Sequence, residues 1–189
     1  MSAILDLPEA RERVKRWTVA EYEHFTELGA FRKNVELIRG IIVEKMSKSP
    51  LHVTIGLYLY RLLAHLLPAE FSIRHEAPLR VNNSMPEPDI SVVRGSDSDF
   101  ARQHPTSAAL VIEVAVSSVE LDRENASLYA EAGVEEYWIV LPKQRQVEVY
   151  RELRDGVYSV KVICESPVVL ECVNVPQIRV NLDELFKTV

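Results

Sequence analysis

The sequence predicts one domain of the α/β (α+β) class, with a mixed β-sheet flanked by helices. Patterns typical of helices and of strands alternate along the chain. The continuous apolar run 108–112 is typical of a central strand buried on both faces. A length of 189 residues, 47% of them hydrophobic and 26% charged, suits one ordinary globular domain. We expect a charged N-terminal arm over 1–16 and the domain over 17–189.

The first third of the chain carries local signals for two helices and a hairpin. The Thr-Val-Ala-Glu segment at 18–21 has the spacing of a capping box, and Gly29 ends the helix that it starts. An Arg-Gly pair at 39–40 separates two apolar runs and predicts a hairpin turn. After Pro50, apolar residues recur every three or four positions. The predicted elements are a helix over 18–28, strands over 35–38 and 41–46, and the main core helix over 51–67.

The remainder predicts mostly strands. Pro86 and Pro88 break the chain before a strand that begins at Asp89, and Gly133 ends a further helix as a left-handed cap. A polar loop with a helical turn is expected at 96–106. The predicted strands are 70–75, 77–82, 89–93, 108–112, 136–141 and a C-terminal meander of 145–151, 157–163 and 168–173; the helices are 121–132 and a short one capped by Asn181.

Charge and cysteine content limit the classes of function. A net charge of −6 argues against a surface that is basic throughout, although a local basic groove could still bind nucleic acid. Cys164 and Cys172 lack zinc-ligand spacing and are expected to be reduced thiols. No signal pattern precedes the domain and no apolar run approaches the roughly 18–20 residues of a membrane span. We therefore expect a cytoplasmic protein without a membrane partner.

Three acidic residues are placed unusually: Glu36 lies within an apolar strand, Asp89 begins a strand, and Glu113 ends the most hydrophobic strand. A carboxylate beside a buried strand costs free energy unless it is paired or binds a cation. Mg²⁺ or Mn²⁺ would suit such oxygen ligands and could promote phosphodiester hydrolysis. The alternative is that each acid pairs with a surface Arg or Lys, which is the commoner situation for a single acid in a strand.

Several segments together resemble a known family. Pro-Glu-Pro-Asp-Ile-Ser-Val-Val at 86–93 and Leu-Val-Ile-Glu-Val at 110–114 resemble the halves of a split PD…(D/E)xK nuclease motif. With the segment 121–140, which contains Tyr-Ala-Glu-Ala-Gly-Val-Glu-Glu-Tyr-Trp, they make the chain similar to the Uma2 family from about residue 17 onward. The resemblance implies a restriction-endonuclease-like core whose acids converge at one edge. It further implies that Asp89 and Glu113 bind the metal and that Glu36 is an accessory acid.

The cation of such a site is missing from its usual positions. Two residues after the second acid stands Ala115, and the helix position that carries lysine in similar sequences holds Asn125, a neutral amide. Lys45 or Lys48 could approach from another side. His52 could be a general base, a phosphate contact or a structural hydrogen-bonding residue.

These observations leave three functions open. The first is a metal-dependent DNA endonuclease, a hydrolase of phosphodiester bonds whose activity is weakened by Asn125. The second is a catalytically inactive module of the same fold that binds nucleic acid or a protein. The third is a scaffold that dimerises through apolar strands of the segment 145–173. A homodimer would also suit an enzyme that cuts both strands of a duplex.

Overall fold

The computed structural model describes residues 8–31 and 34–187. The helices are α1 (Pro8–Arg13), α2 (Val19–Glu27), α3 (Pro50–Leu66), α4 (Val119–Glu131) and α5 (Leu182–Phe186). The strands are β1 (Val35–Ile38), β2 (Ile41–Glu44), β3 (Phe71–His75), β4 (Ile90–Arg94), β5 (Leu110–Val114), β6 (Tyr137–Leu141), β7 (Gln146–Arg154), β8 (Val157–Glu165), β9 (Val169–Glu171) and β10 (Arg179–Asn181). Short 3₁₀ turns lie at Asp97–Phe100 and Pro142–Gln144.

The main sheet has six strands in the order β3-β4-β5-β6-β7-β8. The pair β5–β6 is parallel and the other neighbouring pairs are antiparallel. Helix α4 connects the two parallel strands and packs on one face of the sheet, while α3 and α5 cover the other. This arrangement confirms the predicted α+β class, and β5 is buried on both faces, as its sequence predicts.

The local signals in the first part of the chain are confirmed. The Thr18 hydroxyl accepts from the Glu21 amide at 3.2 Å, and the Glu21 carboxylate accepts from the Thr18 amide at 2.8 Å. Arg39 and Gly40 have φ values of 50° and 78°, which are typical of the tight turn that joins two hairpin strands. The turn is fixed further because the Trp17 amide donates to the Gly40 carbonyl at 2.8 Å.

Two predictions about strands were wrong. Residues 77–82 form no ladder, because the amides of Leu79 and Arg80 donate to the loop carbonyls of Pro86 and Pro105. Their apolar side chains are buried all the same, which explains the strand-like pattern. Glu113 lies inside β5 and does not follow it, since the strand extends to Val114.

The predicted C-terminal meander is only partly present. Strands β7 and β8 extend the main sheet, but β9 pairs with β10 in a separate two-stranded sheet. Strand β7 has neighbours on both sides, so it offers no free edge for pairing between copies; within the main sheet that edge belongs to β8.

Part of the predicted N-terminal arm is helical. Residues 8–13 of the arm form α1, and residues 1–7 lie outside the described residues. Over the described ranges, no helix combines the length and the apolar run that crossing a membrane requires.

Helix α4 is fastened to the sheet through a buried acid. The Glu148 side chain on β7 is 2% exposed and accepts from Arg123 Nε of α4 at 3.1 Å and from Lys161 Nζ of β8 at 2.8 Å. Burial alone would raise the pKa of Glu148, but the hydrogen bonds from Arg123, Lys161 and Tyr150 outweigh it and lower the pKa to about 2. The ionised form of Glu148 therefore stabilises the fold.

This network predicts a pH-dependent stability. Because the pKa of Glu148 falls from 4.5 to about 2 on folding, its contribution is complete above pH 4.5 and is lost as the pH falls towards 2. We expect Glu148→Gln to lower the free energy of unfolding by about 2 kcal/mol at pH 7, and by less below pH 4.5. Urea denaturation measures this, with Glu171→Gln, in an exposed pair with Arg179, as the control. A loss at pH 7 no larger than that of the control would contradict the assignment.

Candidate active site

Strand register brings Asp89 and Glu113 together. In the antiparallel pair β4–β5, Ile90 lies opposite Ile112, so Asp89 and Glu113 form the next pair along. The Asp89 amide donates to Glu113 Oε2 at 3.1 Å, and the Val114 amide donates to Asp89 Oδ2 at 2.8 Å. The two acids that the sequence singled out therefore lie side by side at one end of the sheet.

Asp89 contacts a lysine from the segment before α3 and a histidine within α3. Lys48 Nζ lies 2.9 Å from Asp89 Oδ1, and His52 Nε2 lies 2.9 Å from Asp89 Oδ2. Burial tends to raise the pKa of Asp89, but the hydrogen bond and charge of His52, together with the charge of Lys48, outweigh it and lower the pKa. Asp89 is consequently an ionised carboxylate.

Glu113 is in the opposite electrostatic situation. Its Oε1 accepts from the Tyr129 hydroxyl of α4 at 3.0 Å. Burial, followed by the negative charges of Asp89 and Asp122, raises the pKa of Glu113 well above its ordinary value. The end of the sheet thus concentrates more negative charge than its neighbouring cations offset.

Asp89 and Glu113 line a cleft at this end of the sheet, and Glu36 reaches it from the hairpin β1–β2. The Met85 amide donates to the Leu37 carbonyl at 2.7 Å, which holds the hairpin against the chain leading into β4. Glu36 Oε2 accepts from the Glu87 amide at 3.1 Å, and burial raises the pKa of Glu36. Glu36 lines the cleft with Asp89 and Glu113, but its contact is with the preceding loop.

Sequence reasoning missed a further buried acid in the cleft, Asp122 on α4. Its Oδ2 accepts from the Ser118 hydroxyl at 2.6 Å, while burial and then the charge of Asp89 raise its pKa to about 6. Asp122, Asn125 and Tyr129 recur at spacings of three and four, so they share one helix face. That spacing was the signal by which Asp122 could have been found.

Asn125 lies on the same face and is buried without a partner. The residue is 8% exposed and lines the cleft. Among the described residues, nothing hydrogen-bonds its side-chain amide. Because Asn125 lines the cleft, its amide is available to a water molecule or a ligand there.

The structure also decides between Lys45 and Lys48, the two lysines that the sequence offered as cations near the acids. Lys45 Nζ pairs with Glu87, whereas Lys48 Nζ lies 2.9 Å from Asp89 Oδ1 and 2.9 Å from Glu76 Oε1. Arg123, on α4, turns away from the cleft towards Glu148. Lys48 is therefore the lysine that reaches the paired acids.

The carboxylates of the cleft suit a hard divalent cation that takes only a few of its ligands from the protein. In the ranges 8–31 and 34–187, no three His, Cys, Asp or Glu side chains are grouped so as to enclose a metal. Mg²⁺ needs no such cage, because it commonly binds one or two carboxylates and completes its shell with water and phosphate oxygens. The pair Asp89 and Glu113 meets that requirement, and a cation would offset both the burial and the neighbouring negative charges that raise the pKa of Glu113.

The fold is a mixed sheet that carries paired acids at one end, between helices on both faces. The family model of Uma2, described as a putative restriction endonuclease, matches residues 19–183, and the chain belongs to this family. Among solved structures it is similar to a protein from Anabaena variabilis, described as a putative nuclease belonging to DUF820. The TM-score is 0.72 at 16% identity, over 86% of this chain and 97% of the other, so this likeness concerns the fold alone. No curated protein matches the chain.

The burial of Asp122, together with the charge of Asp89, predicts that the ionised form of Asp122 lowers stability. The pKa of Asp122 rises from 3.8 to about 6 on folding, so its ionised form destabilises the fold above pH 6 and has no such effect below pH 3.8. We expect Asp122→Asn to raise the free energy of unfolding by about 1–2 kcal/mol at pH 8, with the gain shrinking as the pH falls from 6 towards 4.

Urea denaturation in the presence of EDTA measures this effect without compensation by a metal. Asp97→Asn, at an exposed position in the 3₁₀ turn, is the matched control and should change the stability little. A loss of stability for Asp122→Asn at pH 8 would show that Asp122 is not held against repulsion.

Proposed function

We propose that the chain is a metal-dependent DNA endonuclease in which Asp89 and Glu113 bind Mg²⁺ or Mn²⁺ and Glu36 is an accessory acid. The observation that carries the proposal is the register that sets Asp89 opposite Glu113 at the end of adjoining strands. Membership in a family described as a putative restriction endonuclease supports it.

The residues around Asp89 and Glu113 affect the ionisation and the orientation of these two acids, both of which matter for binding a metal. A bound divalent cation would supply an acidic water and would offset charge on the phosphate oxygens. Lys48, His52 and the Val114 amide keep Asp89 ionised and fix its orientation. Tyr129 orients Glu113, which must lose its proton to serve as a ligand, so binding should strengthen with rising pH.

Access for a phosphate backbone favours one side of the cleft. The lining residues of the segment 45–52 include Lys45, Lys48 and His52, and the N-terminus of the 17-residue helix α3 lies there. Lysines and helix N-termini are common phosphate contacts in nucleic-acid complexes. The net charge of the whole chain is −6 and the cleft itself is rich in acids, so attraction of a phosphate would depend on a bound divalent cation together with these groups.

The second candidate is a module of the same fold that binds nucleic acid without cutting it. The neutral Asn125 on α4 favours this alternative, because that helix brings no cation into the cleft. The two candidates make the same prediction for binding and different predictions for cleavage.

Cleavage of a plasmid in Mg²⁺ or Mn²⁺ tests the proposal. Changes to groups that merely support metal ligands cost about 10–100-fold, so Asp89→Asn and Glu113→Gln should each lower the rate by at least about 10²-fold. Both variants should also weaken Mn²⁺ binding in calorimetry, whereas Asp97→Asn should change neither quantity.

The outcomes distinguish the two candidates. A wild-type chain that binds duplex DNA but does not cut it at high protein concentration with either metal would support the binding module. Cleavage that survives Asp89→Asn would contradict the assignment of the site.

A further inference from the structure

We propose that Lys48, in the loop between β2 and α3, supplies the cation that contacts the scissile phosphate, and that Glu76 holds Lys48 in position. This inference rests on the proposed nuclease function and names the source of the positive charge that α4 lacks at Asn125. It makes Lys48 a catalytic residue and Glu76 a positioning residue.

Lys48 is held by two acids, and these contacts use only two of its three N–H donors. Its Nζ lies 2.9 Å from Asp89 Oδ1 and 2.9 Å from Glu76 Oε1, and its side chain is 30% exposed in the cleft. An ammonium group has three N–H donors, and these two contacts occupy two of them. The third is free to bond a phosphate oxygen that enters beside Asp89.

Glu76 directly follows β3 and is held in place by its own backbone. Its φ is 49°, in the left-handed region that costs a non-glycine residue about 1–2 kcal/mol. The Glu76 amide donates to the Asp89 carbonyl at 3.1 Å, so the residue that binds Lys48 is tied to the backbone of the acid that Lys48 faces.

The other positive groups near the cleft have different positions. Of the arginines and lysines among the described residues, only Lys45 and Lys48 line it, and Lys45 is paired with Glu87. His52 occupies the other oxygen of Asp89. The unpartnered amide of Asn125 can hydrogen-bond a water or a phosphate oxygen but brings no charge. Lys48 and Asn125 thus divide between them the charge and the hydrogen bonding that one lysine would combine.

Moving the positive charge from position 48 to position 125 tests whether Lys48 and Asn125 have these separate roles. At saturating Mn²⁺, Lys48→Ala should lower kcat on a short DNA duplex by about 10²-fold, as expected for loss of a positioned charge, with little change in KM. Asn125→Lys should restore at least about tenfold in the Lys48→Ala background and add little to the wild type, because it returns the charge from the helix side. Lys143→Ala, at an exposed lysine in the β6–β7 connection, is the control for general effects of lysine removal.

An unchanged kcat for Lys48→Ala, or an equal gain from Asn125→Lys in both backgrounds, would overturn the proposal. Duplex binding in Ca²⁺ supplies a readout that does not depend on cleavage. Loss of one phosphate contact should reduce the slope of log Kd against log salt by about one. If the wild type fails to cut, the proposed function fails, and an unchanged salt slope for Lys48→Ala would overturn the role of Lys48 as well.

The positioning role of Glu76 has a test of its own. Glu76→Gln should lower kcat by about tenfold while KM stays constant, since supporting residues of a site commonly contribute 10–100-fold. In the Lys48→Ala background the same change should have no further effect, because Glu76 acts through Lys48. Additive losses would overturn this role, and Glu70→Gln, at an exposed acid just before β3, is the matched control.

Discussion

The site depends on two reciprocal hydrogen bonds between the start of β4 and the end of β5. The Asp89 amide donates to the Glu113 carboxylate, and the Val114 amide donates to the Asp89 carboxylate. These bonds continue the strand pairing through side chains, beyond the last pair of the ladder. As a result, two acids are fixed next to each other where burial would strengthen the repulsion between their ionised forms. The surrounding structure has to accommodate that repulsion.

The groups that do so come from parts of the chain distant in sequence. Lys48 and His52 reach Asp89 from one side of the sheet, and Tyr129 reaches Glu113 from α4 on the other. Asp122, on that same helix, adds a further acid to the cleft. Helix α4 therefore has to be held firmly, and the buried ion network of Glu148 does this away from the site. Stability lost through acids in the cleft is offset by an acid that is fully paired.

What the sequence could predict follows from how local each signal is. A continuous apolar run and a proline-marked strand start were enough to single out Glu113 and Asp89, because both signals are local, but not to show that β5 extends past Glu113 to Val114. The source of the cation stayed open between Lys45 and Lys48, since the choice is made by the packing of a loop against Asp89. Strand partners are likewise a tertiary property, so the pattern of residues 168–173 could not reveal that β9 leaves the main sheet. Asp122 was missed although its helical spacing to Asn125 was visible.

The cleft is formed by two parts of the chain: the central strands of the main sheet, and the hairpin β1–β2 with the loop that follows it. Asp89 and Glu113 belong to the central strands, whereas Glu36 lies on the hairpin and Lys48 on the loop that follows it. The hairpin is held to α4 by Arg39, whose two terminal nitrogens bond the Glu131 carboxylate at 2.8 and 2.9 Å. A bidentate pair of this kind fixes orientation as well as distance. Helix α4 therefore carries Asn125 and, through Arg39, also contacts the hairpin, which joins the helix side of the cleft to the side that carries Lys48.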